Sequence, residues 1–167
     1  MTRSRERWEL EDPELVLQSI DDVCPLVSGR VVVAALELET QEVVGASVVP
    51  DPTETQPCWD PYDAGARLRS VAVDLVPEPR STPRGWRPIT HLLVTVVCRE
   101  GRVIDTIAEH RWFQAWRYSN HLTSAIDGDV YVVTPHGWTG VMDQRGGQLP
   151  RLRPRLAVAV NRSTRVL

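Results

Sequence analysis

The sequence predicts an α+β fold, with two main helices packed on a mostly antiparallel or mixed sheet of about six to seven strands. Three observations lead to this prediction. Two segments carry apolar residues at helical spacing behind capping signals, several β-branched runs have the length of strands, and short turns join consecutive runs as hairpins. With 167 residues, of which 42% are hydrophobic and 25% charged, the chain can form one domain with its own core.

The first predicted helix follows a charged N-terminal segment, residues 1–11, which we expect to be flexible. Asp12 suits the N-cap position and Pro13 the first helical position. Apolar residues then recur at helical spacing until Pro25 ends the helix. A single α+β domain is therefore expected over residues 12–167.

Strand-forming residues and breakers alternate along the rest of the chain. Strands are predicted at 30–39, 42–49, 67–76, 91–98, 103–104, 129–134 and 156–161. The run at 91–98 is largely apolar, which is typical of a central strand. The proline-rich segments 50–66 and 77–89 are predicted to be long loops, which in compact domains are often functional.

The second helix has the clearest local signals. Thr106 and Glu109 have the spacing of a capping box, in which the hydroxyl and the carboxylate each bind a backbone amide. Apolar residues at three- and four-residue spacing predict that this helix covers residues 106–127. Gly128 follows where a left-handed C-terminal cap is expected.

The two faces of this helix differ in composition. Trp112 and Trp116 are four residues apart and are expected to pack together on the sheet. The opposite face combines arginine with aromatic rings, which is typical of surfaces that bind phosphate, bases or carboxylates. We expect the loop after the next strand to approach this face. The predicted binding residues are Arg111, Arg117, Tyr118, Asn120, His121, His136 and Trp138.

Recognisable catalytic motifs do not occur in the sequence. It has no nucleophile elbow, Walker A motif, dinucleotide-binding glycine pattern or zinc-protease helix motif. All 19 basic residues are arginine, so lysine chemistry is excluded. We therefore predict no catalytic residues, no metal ligands and no cofactor.

The compartment is predicted from the cysteines and the N-terminus. Three cysteines are widely spaced, which argues against a disulfide framework and favours a reducing compartment. The first residues lack the apolar run of a signal peptide, and no apolar run has membrane-spanning length. We expect a cytoplasmic protein that does not interact with membranes.

A metal-dependent hydrolase is one alternative function. The strand, loop, helix and strand order over 91–137 is similar to that of JAB-type metalloproteases. The metal-binding His-x-His motif of that family does not occur, since 97–99 read Val-Cys-Arg. A degenerate or cryptic His/Asp site would have to use His136 with Asp127 and Asp129, because zinc accepts imidazole and carboxylate ligands.

Nucleic-acid binding is the second alternative. The net charge is −3, but residues 145–167 contain six arginines and no acid, so the remainder of the chain is strongly acidic. The candidate contacts are Arg145, Arg151, Arg153 and Arg155. This segment could instead pair with acids of the same chain. The leading hypothesis remains a non-enzymatic binding or regulatory module that contacts a protein partner through the exposed face of the helix at 106–127.

Overall fold

Three helices and six strands make up the residues that the computed structural model describes, which are 5–50, 59–77, 85, 88–119 and 124–154. The helices are α1 (Pro13–Val23), α2 (Pro61–Leu75) and α3 (Ile107–Tyr118). The strands are β1 (Val31–Glu37), β2 (Val43–Val48), β3 (His91–Cys98), β4 (Ala125–Thr134), β5 (Gly137–Gly140) and β6 (Gly146–Gly147). The α+β class is confirmed, with one helix more than the two predicted.

The strands form one mixed sheet in the order β2-β1-β3-β4-β5-β6. The β1 strand is antiparallel to β2 and β3, and β4 is antiparallel to β5. The two central strands β3 and β4 are parallel, so the chain must cross over between them, and α3 lies within this crossover. The sheet thus places α3 beside its two most buried strands.

Apolar residues cover both faces of the sheet. Successive residues of β1 point to opposite faces, so Val32 and Ala34 join the core under α1 while Val33 and Ala35 join the core under α2 and α3. The same two-sided burial occurs along β3, at 91–98. These strands therefore read as continuous apolar runs, as the sequence of 91–98 predicted.

The first helix begins and ends where its local signals predicted. The Asp12 side chain accepts a hydrogen bond from the Leu15 amide, and Pro13 occupies the first turn. The helix ends one residue before its C-cap, Cys24. Within the segment expected to be flexible, Leu10 is only 1% exposed and belongs to the core under α1.

The second helix, α2, corrects two predictions. Residues 61–66 were assigned to a loop and 67–76 to a strand, and both assignments are wrong where α2 replaces them. The Asp60 side chain accepts from the Tyr62 amide ahead of a proline, which is the capping signal already seen at α1. The valine alternation suggested a strand, but the buried positions follow helical spacing instead.

The third helix is shorter than predicted, because it ends at Tyr118 and not at 127. The sheet is the reason, since Ala125 already pairs with His91 at the start of the parallel β3–β4 ladder. Gly128 therefore lies inside β4 and does not cap a helix. It lies at a register irregularity, where a Cβ atom would come 2.8 Å from the Leu93 carbonyl oxygen.

The predicted strand at 103–104 is also wrong, because the segment between β3 and α3 forms no strand pairing. The Arg99 guanidinium instead donates hydrogen bonds to the carbonyls of Glu100, Arg102 and Ile104. The backbone of this connection therefore curves around the Arg99 side chain. The strand predicted at 156–161 lies outside the described residues.

Candidate functional site

The start of α3 is anchored by a buried ion pair. Glu109 is 1% exposed, and its Oε1 accepts a hydrogen bond of 2.6 Å from Nε of Arg99. Its Oε2 accepts from the amide and hydroxyl of Thr106, which confirms the predicted capping box. Burial raises the pKa of Glu109, but the hydrogen bonds from Thr106 and Arg99 outweigh burial and hold it below its usual value. The helix start is therefore tied to the end of β3.

Both tryptophans of α3 face the interior, as predicted. Trp116 is 3% exposed, and its Nε1 donates a hydrogen bond of 2.7 Å to Oγ1 of Thr95 on β3. Trp112 is also buried and meets the Trp59 ring edge-on, with centroids 5.1 Å apart. Since indole N–H groups need a partner when buried, the Trp116 bond helps to set the rotation of α3 on the sheet.

A close contact with α2 restrains the other end of α3. A Cβ atom on Gly65 would lie 2.8 Å from the carbonyl oxygen of Ala115 and 2.9 Å from the carbonyl carbon of Tyr118. Only a residue without a side chain lets the two backbones approach this closely. The position of α3 is therefore defined at both ends.

Four exposed residues form a line along the solvent-facing side of α3, which we call the outer stripe. Since each helical residue advances by about 100°, Ile107, Arg111, Gln114 and Tyr118 lie within roughly 60° of one another. Arg111 makes no ion pair with any described residue. Tyr118 is 41% exposed, and its ring packs against that of Tyr62 with centroids 4.3 Å apart and the ring planes tilted by 39°.

Arg117 lies on a different side of α3, in a groove between the helix and the segment after β5. This groove, which we call the flank groove, has a volume of about 600 Å³. Its lining includes Trp8, His110, Phe113, Arg117 and Met142. Trp8 and Met142 come from distant parts of the chain, so no local spacing predicts that they lie beside α3. The groove combines flat apolar side chains with a guanidinium group.

The predicted binding residues are only partly brought together. Arg111, Arg117 and Tyr118 are all exposed on α3, on two of its sides. Asn120 and His121 lie outside the described residues. His136 is exposed in the turn after β4, at the opposite end of that strand from the point where the chain returns from Tyr118.

Trp138 does not belong to this surface. It is 3% exposed and lies in the core under α1, on the other face of the sheet from α3. Its Nε1 donates to the Leu149 carbonyl, and its ring packs against Tyr131 at 5.8 Å between centroids. The expectation that Trp138 approaches α3 was wrong because its strand position points it to the opposite face.

Asp129, one of the two carboxylates of the possible His/Asp metal site, is only 1% exposed, and its hydrogen bonds are made within the fold. Its oxygens accept hydrogen bonds from the amides of Val130, Met142 and Asp143. Burial raises the pKa of Asp129 above its usual value in spite of these three bonds, and the nearby charge of Asp143 adds to the increase.

The residues proposed for a metal site are not assembled. The five strand residues 130–134, which span roughly 17 Å of β4, and then Pro135 separate Asp129 from His136. Within the ranges that the structure describes, no group of three potential His, Cys, Asp or Glu ligands comes together. The buried Cys98 is no better placed as a nucleophile, since burial raises its thiol pKa to about 12.

Two of the four candidate nucleic-acid contacts pair with acids of the same chain. Arg145 lies 2.8 Å from the Asp143 carboxylate and donates to the Leu10 carbonyl. Arg153 lies 3.0 Å from the Asp21 carboxylate of α1. Arg151 donates to a backbone carbonyl, and Arg155 lies outside the described residues. The described part of the basic segment therefore serves in part to hold the fold together.

Comparisons with protein-family models, with curated proteins and with solved structures find no match to this chain. Among the helices that the structure describes, none combines the length and the apolar character needed to cross a bilayer.

Proposed function

We propose that this protein is a non-enzymatic binding or regulatory module that contacts a protein partner through α3. The observation that carries this proposal is the outer stripe, where exposed aliphatic, aromatic and guanidinium groups lie side by side. Ile107 is 76% exposed, and Tyr118 and Tyr62 form an exposed ring pair. Arginine and tyrosine are enriched among the residues that contribute most to protein–protein affinity.

The rigidity of the support under the stripe also favours a binding role. The ion pair of Arg99 with Glu109 and the hydrogen bond of Trp116 hold α3 against β3. A surface held in its binding conformation loses less conformational entropy on association. The outer stripe therefore has the preorganisation that a partner surface needs.

The chemistry of the stripe indicates what it would bind. The Arg111 guanidinium has no ion pair within the described chain, so it is available to a carboxylate of the partner. Ile107 and Tyr118 flank it by about one and two helical turns and offer apolar contact. We propose a partner segment that presents an acidic residue between two apolar ones.

The two alternatives make different predictions. A nucleic-acid-associated protein would copurify with material that raises the ratio of absorbance at 260 nm to that at 280 nm, and its affinity would fall steeply with salt. A cryptic metal-dependent hydrolase would hold stoichiometric metal in elemental analysis. Each measurement is made on the purified full chain.

The test compares capture of partners by variants of the tagged full chain. Arg111→Ala and Tyr118→Ala remove the two central groups of the outer stripe, and Arg117→Ala tests the flank groove separately. Arg69→Ala is the matched control, since Arg69 is an exposed arginine of α2 outside the stripe. We expect quantitative mass spectrometry to show at least a tenfold loss of the same partner for the stripe variants and no loss for Arg69→Ala. Unchanged capture by both stripe variants would refute the proposal.

A further inference from the structure

The flank groove has the size of a small-molecule site. Its volume of about 600 Å³ lies within the range of roughly 300–1,000 Å³ that is typical of such sites. The N-terminal segment, α3, β4 and the segment after β5 all contribute to its lining. The groove shares only Gln114 with the outer stripe, so binding in the groove can be tested apart from binding of a protein partner to the stripe.

Tryptophan and phenylalanine rings line the groove. Trp116 is 3% exposed and is bound to Thr95, so its ring lies at the bottom of the groove. Phe113 and Trp8 are both half-buried and come from α3 and from the N-terminal segment. Met142 adds a thioether, a group that makes favourable contacts with aromatic rings. This lining favours a flat apolar ligand over a polar one.

Hydrogen bonds along the N-terminal segment fix the position of Trp8. Leu10 is 1% exposed, and its carbonyl accepts a hydrogen bond of 2.6 Å from Nη2 of Arg145. The carbonyl of Glu9 accepts a hydrogen bond of 3.0 Å from Nε2 of Gln41. Since α3 is also held at both ends, the groove is formed before a ligand enters, which lowers the entropic cost of binding.

Arg117 is the charged group of the groove that is available to a ligand. Three side chains that can carry charge contribute to the lining, namely those of His110, Arg117 and Asp127. Nε2 of His110 lies 2.8 Å from the carboxylate of Asp105, and Asp127 interacts within the chain. Arg117 is exposed and makes no hydrogen bond or ion pair with any described residue. A guanidinium suits a carboxylate, which it binds through two parallel hydrogen bonds.

We propose that the flank groove binds a small aromatic carboxylate. The carboxylate pairs with the Arg117 guanidinium, and the aromatic ring packs against Phe113 and Trp8. Arg117 and Phe113 are four residues apart on α3, so they lie on one side of the helix and about 6 Å apart along its axis. This separation suits a ligand whose charged group and flat ring are joined directly or by one or two bonds.

Calorimetric titration of the full chain with indole-3-acetate tests this site. We expect saturable binding with a Kd of about 1 mM or tighter. Binding of indole-3-acetamide, which has the same ring without the charge, should be weaker by about tenfold or more. Arg117→Gln should weaken binding of indole-3-acetate to a similar extent, because it removes the guanidinium.

Arg69→Gln is the matched control, since Arg69 is an exposed arginine of α2 that does not line the groove. It should leave the Kd for indole-3-acetate unchanged. The proposal would be overturned by the lack of saturable binding, by equal affinity for the two probes, or by equal effects of the two substitutions.

Nuclear magnetic resonance of the isotope-labelled chain identifies where the probe binds. Indole-3-acetate should shift the indole N–H resonances of Trp8 and Trp116, because both rings line the groove. Trp138 is the internal control and should not shift, since it lies in the core on the other face of the sheet from α3. Shifts confined to residues outside the groove would show that the carboxylate binds elsewhere and would refute the assignment.

Discussion

Glu109 and Asp129 are buried to the same extent, with 1% of each residue exposed, but their pKa values move in opposite directions. Burial raises the pKa of both carboxyls and is the largest single cause at each. Glu109 has the positive charge of Arg99 and the hydrogen bonds of Thr106, and its net pKa is lowered. Asp129 has three backbone amides but faces the charge of Asp143, and its net pKa is raised.

The comparison teaches that the partners of a buried acid decide the direction of its pKa shift. Hydrogen bonds from Thr106 and Arg99 outweigh burial at Glu109, whereas three backbone amides do not outweigh it at Asp129, where the charge of Asp143 adds to the increase. Backbone amides are dipoles, whereas a guanidinium supplies a full opposite charge in a medium that screens it weakly. The two acids also have different roles in the fold. Glu109 fixes the start of the helix that carries the outer stripe, and Asp129 holds the segment 141–143 against β4.

The largest effect is expected from removing the cation. Arg99→Met leaves the Glu109 carboxylate buried without its counter-charge, and we expect a loss of about 3 kcal/mol in the free energy of unfolding at pH 7. Urea denaturation followed by circular dichroism measures it. Arg102→Met, at an exposed arginine of the same connection, should change stability by less than about 0.5 kcal/mol. Equal effects of the two substitutions would contradict the assigned role of the ion pair.

A smaller loss is expected where α3 meets α2. Gly65→Ala puts a methyl group within 2.8 Å of the Ala115 carbonyl oxygen, so the helices must separate, at a cost of about 2 kcal/mol. Ser70→Ala adds no such contact on the exposed side of the same helix and should be neutral or slightly stabilising. Thermal unfolding of both variants measures the two changes in stability. Stabilisation by Gly65→Ala would show that helix propensity outweighs the close contact.

The pH dependence of stability should differ in sign between the two acids. Because the pKa of Glu109 is lowered in the fold, Glu109 contributes stability at pH values above 4.5, its usual pKa. This contribution is lost as the pH falls from 4.5 through the lowered pKa. A raised pKa at Asp129 means that the native state retains a proton longer, so its contribution is present below 3.8 and is lost as the pH rises through the raised pKa.

Neutral variants measure this difference. Between pH 3 and 7, the stability of wild type relative to Glu109→Gln should increase with pH, and that relative to Asp129→Asn should decrease. We expect each change to be about 1.4 kcal/mol for each unit of pKa shift. If both relative stabilities change with pH in the same direction, the two pKa values are not shifted in opposite directions.

The smallest loss of stability is expected from removing the hydroxyl of Tyr131, which lies near Asp129. Tyr131 is buried, and its hydroxyl donates a hydrogen bond of 2.9 Å to Asp143. Tyr131→Phe removes this bond and keeps the ring, so we expect a loss of about 1 kcal/mol in urea denaturation. In Asp143→Ala the bond is already absent, and adding Tyr131→Phe to that background should then have a much smaller effect.

Part of the candidate site could be predicted from the sequence because it depends on neighbours along one helix. The capping box and the inward orientation of Trp112 and Trp116 follow from spacings of three and four residues, and both are confirmed. The exposure of Arg111 and Tyr118 on the opposite side follows from the same periodicity. Residues supplied by other elements, such as Trp8 and Tyr62, left no signal in the spacing.

The sequence by itself determined the α+β class, the limits of β3 and the start of α1, because these depend on local propensity and capping. The Asp-Pro signal of α2 was also present, but the alternating valines competed with it, and only burial against the sheet and α3 selected the helix. Tertiary structure alone decided where α3 ends and that Arg145 binds the carbonyl of Leu10. Contacts between residues more than a hundred positions apart depend on sheet order and register, which no local spacing encodes.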